Sequence, residues 1–534
     1  MIAALGTPVG SDTRSLGWLP IGGIVLASLT EAVASTVLSL GRGDILGDTY
    51  ATPDEFAWLD ICYTALKLIG FAFTPWLLTR VPPRTVLLAA TLVMGAACTV
   101  AAATARLDVL IVLRAAQGLA GAILLVSGQA ILFWSYPQSR QPILQAIFAM
   151  GSVVAPATIA PALQGWLLDS QSWAWIFFAV LPLSLTAAGL LLMDDALPSV
   201  SSVRRPFDWL GFALLGTALF SAAYVLSQGS RWDWFEAGRI VWLSVAAGAC
   251  LVLFAIRQRI AAPLALFDLT VFRSDDFTFA FAVSFVAGIA LFGSAFLIPV
   301  FAVSVLGFTP TDAGQLLLPS GALFTGALLL AAFLMQARQI PPIATVPFGI
   351  LLIMAAMWML SRSNGQSGAG DMMPALLLRG LGLGFLFLSI TLIAFSRLMA
   401  ANLAFGIAIF NIGRQLGGLM GVAGLQTVID HQVVHNQATL GAVLTAGSPA
   451  VAERLAATTA LLVGKGMDAG NAAKVSASML GRSVAGQATV IAFETAFSIV
   501  ALLFVVAAPL LIAFKVALAR MAKQRESANA EAVS

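Results

Sequence analysis

Charge is what this chain has least of. Asp, Glu, Lys and Arg make up 10% of 534 residues, against roughly 25% in an average soluble domain, which excludes an ordinary water-facing surface. A net charge of +3 excludes a basic face for nucleic acid. The three cysteines, Cys62, Cys98 and Cys250, each fall inside an apolar run, so they read as small hydrophobes and no disulfide framework is expected. The two histidines, His431 and His435, are four apart beside Asp430 but lack the intervening glutamate of a metalloprotease helix, so no metal site is expected. No Walker lysine motif, serine elbow or cysteine–histidine cluster is present, and GLGLG at 380–384 follows no strand. Neither an enzyme, a cofactor nor direct use of ATP is expected.

What the chain does have is apolar length. Hydrophobic residues make up 60% of it, and with about 20 residues needed per spanning helix fourteen runs emerge. Their limits are 16–40, 55–78, 85–104, 109–134, 143–168, 173–193, 209–229, 238–256, 276–304, 312–336, 343–361, 373–396, 404–428 and 487–514. The expected class is an all-α membrane protein. The first run has no small-residue cleavage site and reads as a retained span. With the N-terminus inside, the inner segments hold fifteen Lys and Arg, Arg14, Arg204 and Arg205 among them, while the short outer loops hold five: Arg42, Arg106, Arg231, Arg239 and Arg362. That asymmetry predicts cytoplasmic termini, and Trp232, Trp234 and Trp242 read as outer interfacial anchors.

Charges inside spans need a reason, because an arginine at the centre of one costs roughly 2.5–3.5 kcal/mol on insertion scales. Arg114 lies in the fourth run, in LRAAQGLAG at 113–121, and LRGLGLGFL at 378–386 places Arg379 at an offset of 265 residues. The same offset takes Arg414, in NIGRQLGGLMG, to Ala149, at the start of a fifth run punctuated by Gly151, Pro156, Pro161 and Gly165. Repeats around a midplane site are a recurrent transporter design. Small residues and prolines in one helix allow close approach and bending, although packing alone also explains them.

Several tracts carry a family resemblance: RAAQG at 114–118, GSVVAPATIAPALQGW followed by SWAWIFF, and NIGRQLGGLMGVAG at 411–424, with weaker agreement in PLALFDLTVFRSDDF at 263–277 and GQATVIAFETAF at 486–497. The chain resembles the fourteen-span branch of the major facilitator superfamily, the drug:proton antiporters of EmrB/QacA type. The resemblance implies a major facilitator fold, with six-helix bundles over 16–193 and 276–514, an insert over 194–275 and cytoplasmic ends at 1–15 and 515–534. It also implies that the fifth-run tract with Gly151, Pro156, Pro161 and Gly165 is the antiporter motif of exporters. In relatives of EmrB type an outer extension goes with a periplasmic adaptor protein and an outer-membrane channel. The chain departs from the pattern after the second run, where TPWLLTRVPPR has Pro75 in place of a glycine and Thr79 in place of an acid, which puts the usual inner charge latch in doubt. The first run has Glu31 where an aspartate is usual, and the second has both Asp60 and Lys67.

Read from the residues, Glu31, Asp60 and Arg114 form the candidate proton-coupling set; Lys67, Gln117, Asn411 and Arg414 the candidate substrate cavity; and Arg379 and Glu494 the second-half charges. A carboxylate that alternates between an apolar cavity and a nearby cation is a proton-coupling device. Each has a plainer alternative: Arg114 bonding backbone carbonyls, Glu31 in a static pair with Lys67, Asp60 solvated near the outer headgroups, Arg414 a packing residue in a glycine-spaced helix, Glu494 a cap at the outer end of its span. Asp60 and Lys67 share a helix face about 10 Å apart. The alanine-rich 429–486 segment predicts two amphipathic helices over the outer mouth, as adaptor dock or simple cap. The expected function is proton-driven export of amphipathic compounds across the bacterial inner membrane, in contact with lipid, by alternating access. The excess of deep cations favours anionic or neutral substrates. An exporter dedicated to one metabolite, fatty acid or siderophore-like, and a non-transporting scaffold or sensor are the alternatives.

Overall fold

The protein is described here from a computed structural model, over residues 17–193, 206–260, 269–444 and 448–533. Outside them lie the N-terminal segment with Arg14, Arg204 and Arg205, which are expected on the inner side, and residues 263–268 of the PLALFDLTVFRSDDF tract. Fourteen helices among the described residues are long and apolar enough to cross a bilayer. They are α1 (Trp18–Leu40), α2 (Pro53–Leu78), α3 (Pro83–Ala102), α4 (Leu107–Ser135), α5 (Gln138–Ser170), α6 (Ala174–Leu192), α7 (Trp209–Gln228), α8 (Gly238–Ile260), α9 (Asp275–Ser304), α10 (Pro310–Ala337), α11 (Pro342–Leu360), α12 (Ala369–Phe395), α13 (Ala400–Val443) and α14 (Ala469–Val533). Each expected run holds one of them.

Local chemistry sets several of the starts. Thr52 and Glu55 form a reciprocal capping box with Pro53 at the first helical position of α2, and Ser274 and Thr309 cap α9 and α10 by accepting from the backbone N–H three residues on. Asp208, buried, accepts from the Gly211 N–H at the start of α7 and pairs with Arg257 in the last turn of α8 at 2.8 Å. Because it caps one helix and ties it to the next, Asp208→Ala is expected to cost about 1–3 kcal/mol, read as a lower unfolding temperature in detergent.

The helices pack as two bundles. In the first, α4 lies against α2 and α3, and α1 against α5 and α6; in the second, α12 lies against α10 and α11, and α13 against α9 and α14. The repeat seen in the sequence recurs in the packing. A Cβ on Gly118 of α4 would strike the Tyr63 carbonyl of α2, and one on Gly384 of α12 would meet the Phe324 carbonyl of α10 at 2.7 Å, so the same helix pair in each half sits backbone to backbone. The inserted α7 packs on α2, and α8 has only 11% of its span buried within the protein.

The outer segment differs from expectation. Instead of two amphipathic helices over the mouth, α13 runs unbroken to Val443, α14 begins at Ala469, and a separate helix Pro449–Gly464 packs on α14, where Ser476 Oγ donates to the Leu455 carbonyl at 3.1 Å. Alanine-rich sequence has high helix propensity, and neither proline nor glycine interrupts Val428–Leu440. The spanning helices therefore continue past their apolar stretches.

Candidate functional site

The deepest charges of the first bundle meet in one cluster. Glu31 of α1 is 2% exposed, and its Oε1 accepts from Lys67 Nζ at 2.5 Å and from the Tyr63 hydroxyl at 3.0 Å, both on α2. Tyr63 and Lys67 are four residues apart and so share one helix face. The Arg114 guanidinium lies over the Tyr63 ring at 4.1 Å, and its Nη1 donates to the Ala34 carbonyl at 2.7 Å and to Gln117 Oε1 at 3.1 Å. Gly121 admits the cluster, since a Cβ there would meet Glu31 Cγ at 2.7 Å. Glu31 is thus held by one cation and one hydroxyl, with a second cation over the Tyr63 ring. Chemically, such a carboxylate can exchange its bond to Lys67 for a proton when the helices move.

The bundles meet along α5 and α10. At the outer end a Cβ on Gly165 would strike the backbone of Pro310 and Thr311, one on Gly314 would meet the Pro161 carbonyl at 2.6 Å, and Asp169 accepts from the Thr311 backbone N–H at 3.2 Å and from its hydroxyl. Inside the bilayer Thr158 packs into the gap at Gly321. At the inner end Trp134 Nε1 donates to the Ala400 carbonyl at 3.1 Å, Gln138 Nε2 donates to the Ser396 carbonyl at 2.7 Å, and the Phe133 and Phe395 rings meet at 5.5 Å. Contacts close the interface at both ends. Between them lies a narrow crevice lined by Gln129, Gln145, Ser152, Thr391, Asn411 and Arg414. Its glutamines are linked, Gln129 Nε2 donating to Gln145 Oε1 at 3.1 Å, and Arg414 Nη2 donates to Asn411 Oδ1 at 2.5 Å.

Of the four cavity candidates, Asn411 and Arg414 line that crevice, whereas Lys67 and Gln117 are buried within the Glu31 cluster. Asp60 does not join the cluster as expected. Its side chain is exposed and forms no ion pair or hydrogen bond among the described residues; two turns separate it from Lys67, while the neighbouring Leu59 carbonyl accepts from Arg114 Nε at 3.5 Å. Gly151 faces Ser28 and the Val25 carbonyl of α1, Pro156 lies within a stretch of π-helix from Met150 to Ile159, and Pro161 opens the α-helical segment that follows. The motif thus ties α5 to its own bundle at its inner half and to the other bundle at its outer half. Arg379 reaches α9 as Arg114 reaches α1, through Ser294 Oγ at 2.8 Å. Glu494 is half-buried within the continuous α14 and caps no helix end, because that helix begins at Ala469. His431 and His435 are exposed on the outer extension of α13.

The sequence reading missed Tyr63 and the glutamine ladder. Tyr63 was findable by its i, i+4 spacing to Lys67; Gln129 and Gln145 lie on different helices and carry no joint signal. In the first turn of α3, Arg84 donates to the Leu191 and Leu192 carbonyls at 3.1 and 2.9 Å and so caps α6. On the inner face of the second bundle, Asp276 pairs with Lys515 at 2.7 Å and Arg397 at 2.8 Å.

Two helical bundles related by a repeat, closed on a central crevice with buried charge, have the architecture of a secondary transporter. The chain belongs to the Major Facilitator Superfamily, whose profile matches residues 21–422. It is similar to the multidrug export protein EmrB of Haemophilus influenzae, 26% identical over 74% of this chain and 78% of that protein. It is also similar to the fatty acid resistance protein FarB of Neisseria gonorrhoeae, 24% identical over 78% of this chain and 81% of that one. The colistin resistance protein EmrB of Acinetobacter baumannii is 24% identical over 92% of this chain and 95% of its own length. Among solved structures, an inward-facing bacterial homolog of the human lysosomal transporter Spinster superposes with a TM-score of 0.55 at 13% identity, covering 96% of this chain and 99% of that one; it supports the fold alone.

Proposed function

We propose that this protein exports amphipathic organic compounds across the bacterial inner membrane by alternating access, driven by proton entry, with both termini in the cytoplasm. The observation that carries the reading is Glu31, a carboxylate buried between Lys67 and Tyr63 on two helices of one bundle. Proton binding to Glu31 releases Lys67, and the changed charge of the cluster biases the first bundle between its outward and inward positions. The proton gradient is the energy source and no resident cofactor takes part. The relatives named for multidrug export and for fatty acid and colistin resistance support an efflux role. The outer extensions of α13 and α14 offer a periplasmic adaptor a helical docking surface.

The test is transport in proteoliposomes under an imposed pH gradient, with anionic, neutral and cationic dyes. Uphill movement of at least one class that collapses with a protonophore is the expected result. Folded protein that moves none of them under any gradient overturns the reading in favour of a scaffold or sensor.

An anionic substrate class is favoured by Arg414, which faces the crevice with Asn411 and has no carboxylate partner among the described residues. Arg414→Gln is expected to raise the KM for anionic dyes about tenfold, the loss of one charge-assisted bond of roughly 1.5 kcal/mol, while cationic dyes are unaffected or improved.

A further inference from the structure

Arg379 takes no part in anything described so far beyond its bond to α9. It is 0% exposed, and Arg114 and Arg379 are the largest of the fully buried side chains. Its Nε donates to Ser294 Oγ at 2.8 Å, while Nη1 and Nη2 are both buried without a hydrogen-bond partner. It forms no ion pair among the described residues. Ser320 Oγ, on the α10 segment packed against Gly380, is likewise buried and unpartnered.

The contrast with the other half is informative. Arg114 has a carbonyl, an amide oxygen and an aromatic face as partners and leaves only Nη2 without one, whereas both Nη groups of Arg379 are without a partner. The positions offset by 265 residues from Glu31 and Lys67 are Phe296 and Ala332. The second bundle keeps the arginine and lacks both members of the Glu31–Lys67 pair. Asp371, in the first turn of α12, is about 12 Å away along the helix axis, and Glu494, on α14, forms no ion pair among the described residues. A guanidinium is not deprotonated in proteins, so burial cannot neutralise it, and an unpaired buried ion costs several kcal/mol.

We propose that Arg379 is the cationic half of a binding site for a small inorganic anion, chloride being the species that fits. The two Nη groups present donors in the fork geometry that suits an anion. Ser294, whose hydroxyl donates to the Leu291 carbonyl and accepts from Nε, fixes the guanidinium from behind. Complete burial selects a small ion over an organic carboxylate. The anion then supplies Arg379 with the counter-charge that no ion pair among the described residues provides.

The full-length protein in detergent supplies the test. Its unfolding temperature is measured at constant ionic strength with chloride replaced stepwise by gluconate, and with bromide as a second small anion. A saturable rise of about 2–4 °C or more with chloride and bromide is expected. The rise should vanish in Arg379→Met. In Ser294→Asp, which places a carboxylate within reach of Nε, stability should no longer depend on the anion and should at least match that of the wild type in chloride. Equal unfolding temperatures of the wild type in chloride and gluconate overturn the proposal, as does a chloride effect that persists in Ser294→Asp. If Arg379→Met does not fold, the wild type and Ser294→Asp alone decide.

Discussion

Lys67→Met is expected to lower stability by about 3–5 kcal/mol, because it strands the Glu31 carboxylate in a dry helix interface with one hydroxyl as partner. The pair it breaks is buried on both sides, at 8% and 2% side-chain exposure, so solvent does not screen the loss. Replacing both members, Glu31→Gln with Lys67→Met, should recover most of that stability, since no uncompensated charge remains. It should not recover uphill transport. In proteoliposomes Glu31→Gln, alone or in the double variant, should abolish proton-driven accumulation while leaving downhill exchange. Thermal unfolding of the four proteins in a double-mutant cycle measures the coupling. Strictly additive losses would mean that the pair is not energetically real, and unchanged uphill transport in Glu31→Gln would move the proton site elsewhere.

The second large effect is expected at the seam between the bundles. Gly165→Leu puts a branched side chain where the Pro310 and Thr311 backbone lies, and backbone cannot step aside as a side chain can. Because the clash is between bundles and not within one, the fold should survive while the outer contact opens. Transport is expected to fall at least about tenfold, equivalent to roughly 1.4 kcal/mol against the closed form. Spin labels at Gln171 and Asp312, both exposed at the outer ends of α5 and α10, should move apart relative to wild type. Wild-type transport with an unchanged label distance would show that this contact does not gate the cycle.

Much of the architecture was legible in the sequence because a bilayer leaves few options: about twenty apolar residues between polar turns must be a helix. Limits failed where that rule stops applying, at the outer ends of α13 and α14, where alanine-rich helix continues beyond the apolar stretch. The cluster was partly legible. Glu31 and Lys67 stood out as charges in apolar runs, and a static pair between them was one of the alternatives. The separation of Asp60 from Lys67 was legible too, as seven residues along one helix, and its solvation near the helix end was one of the alternatives. The unpaired state of Arg379 was invisible, because the offset repeat aligns the arginines and is silent about their partners.

The buried arginines have a consequence for how the protein meets the membrane voltage. Glu31 and Lys67 cancel, leaving the deep positive charges Arg114, Arg379 and Arg414, against Asp60 and Glu494, within the spanning helices. A charge crossing the whole field gains or loses about 2.3 kcal/mol per 100 mV, so bundles that rock carry work against the potential even when no substrate is bound. Shifting one such arginine through a tenth of the field is worth roughly 0.2 kcal/mol at 100 mV, and three moving together triple it. An anion held at Arg379 would subtract its share, so the resting preference of the carrier for one face of the membrane would depend on voltage and salt together.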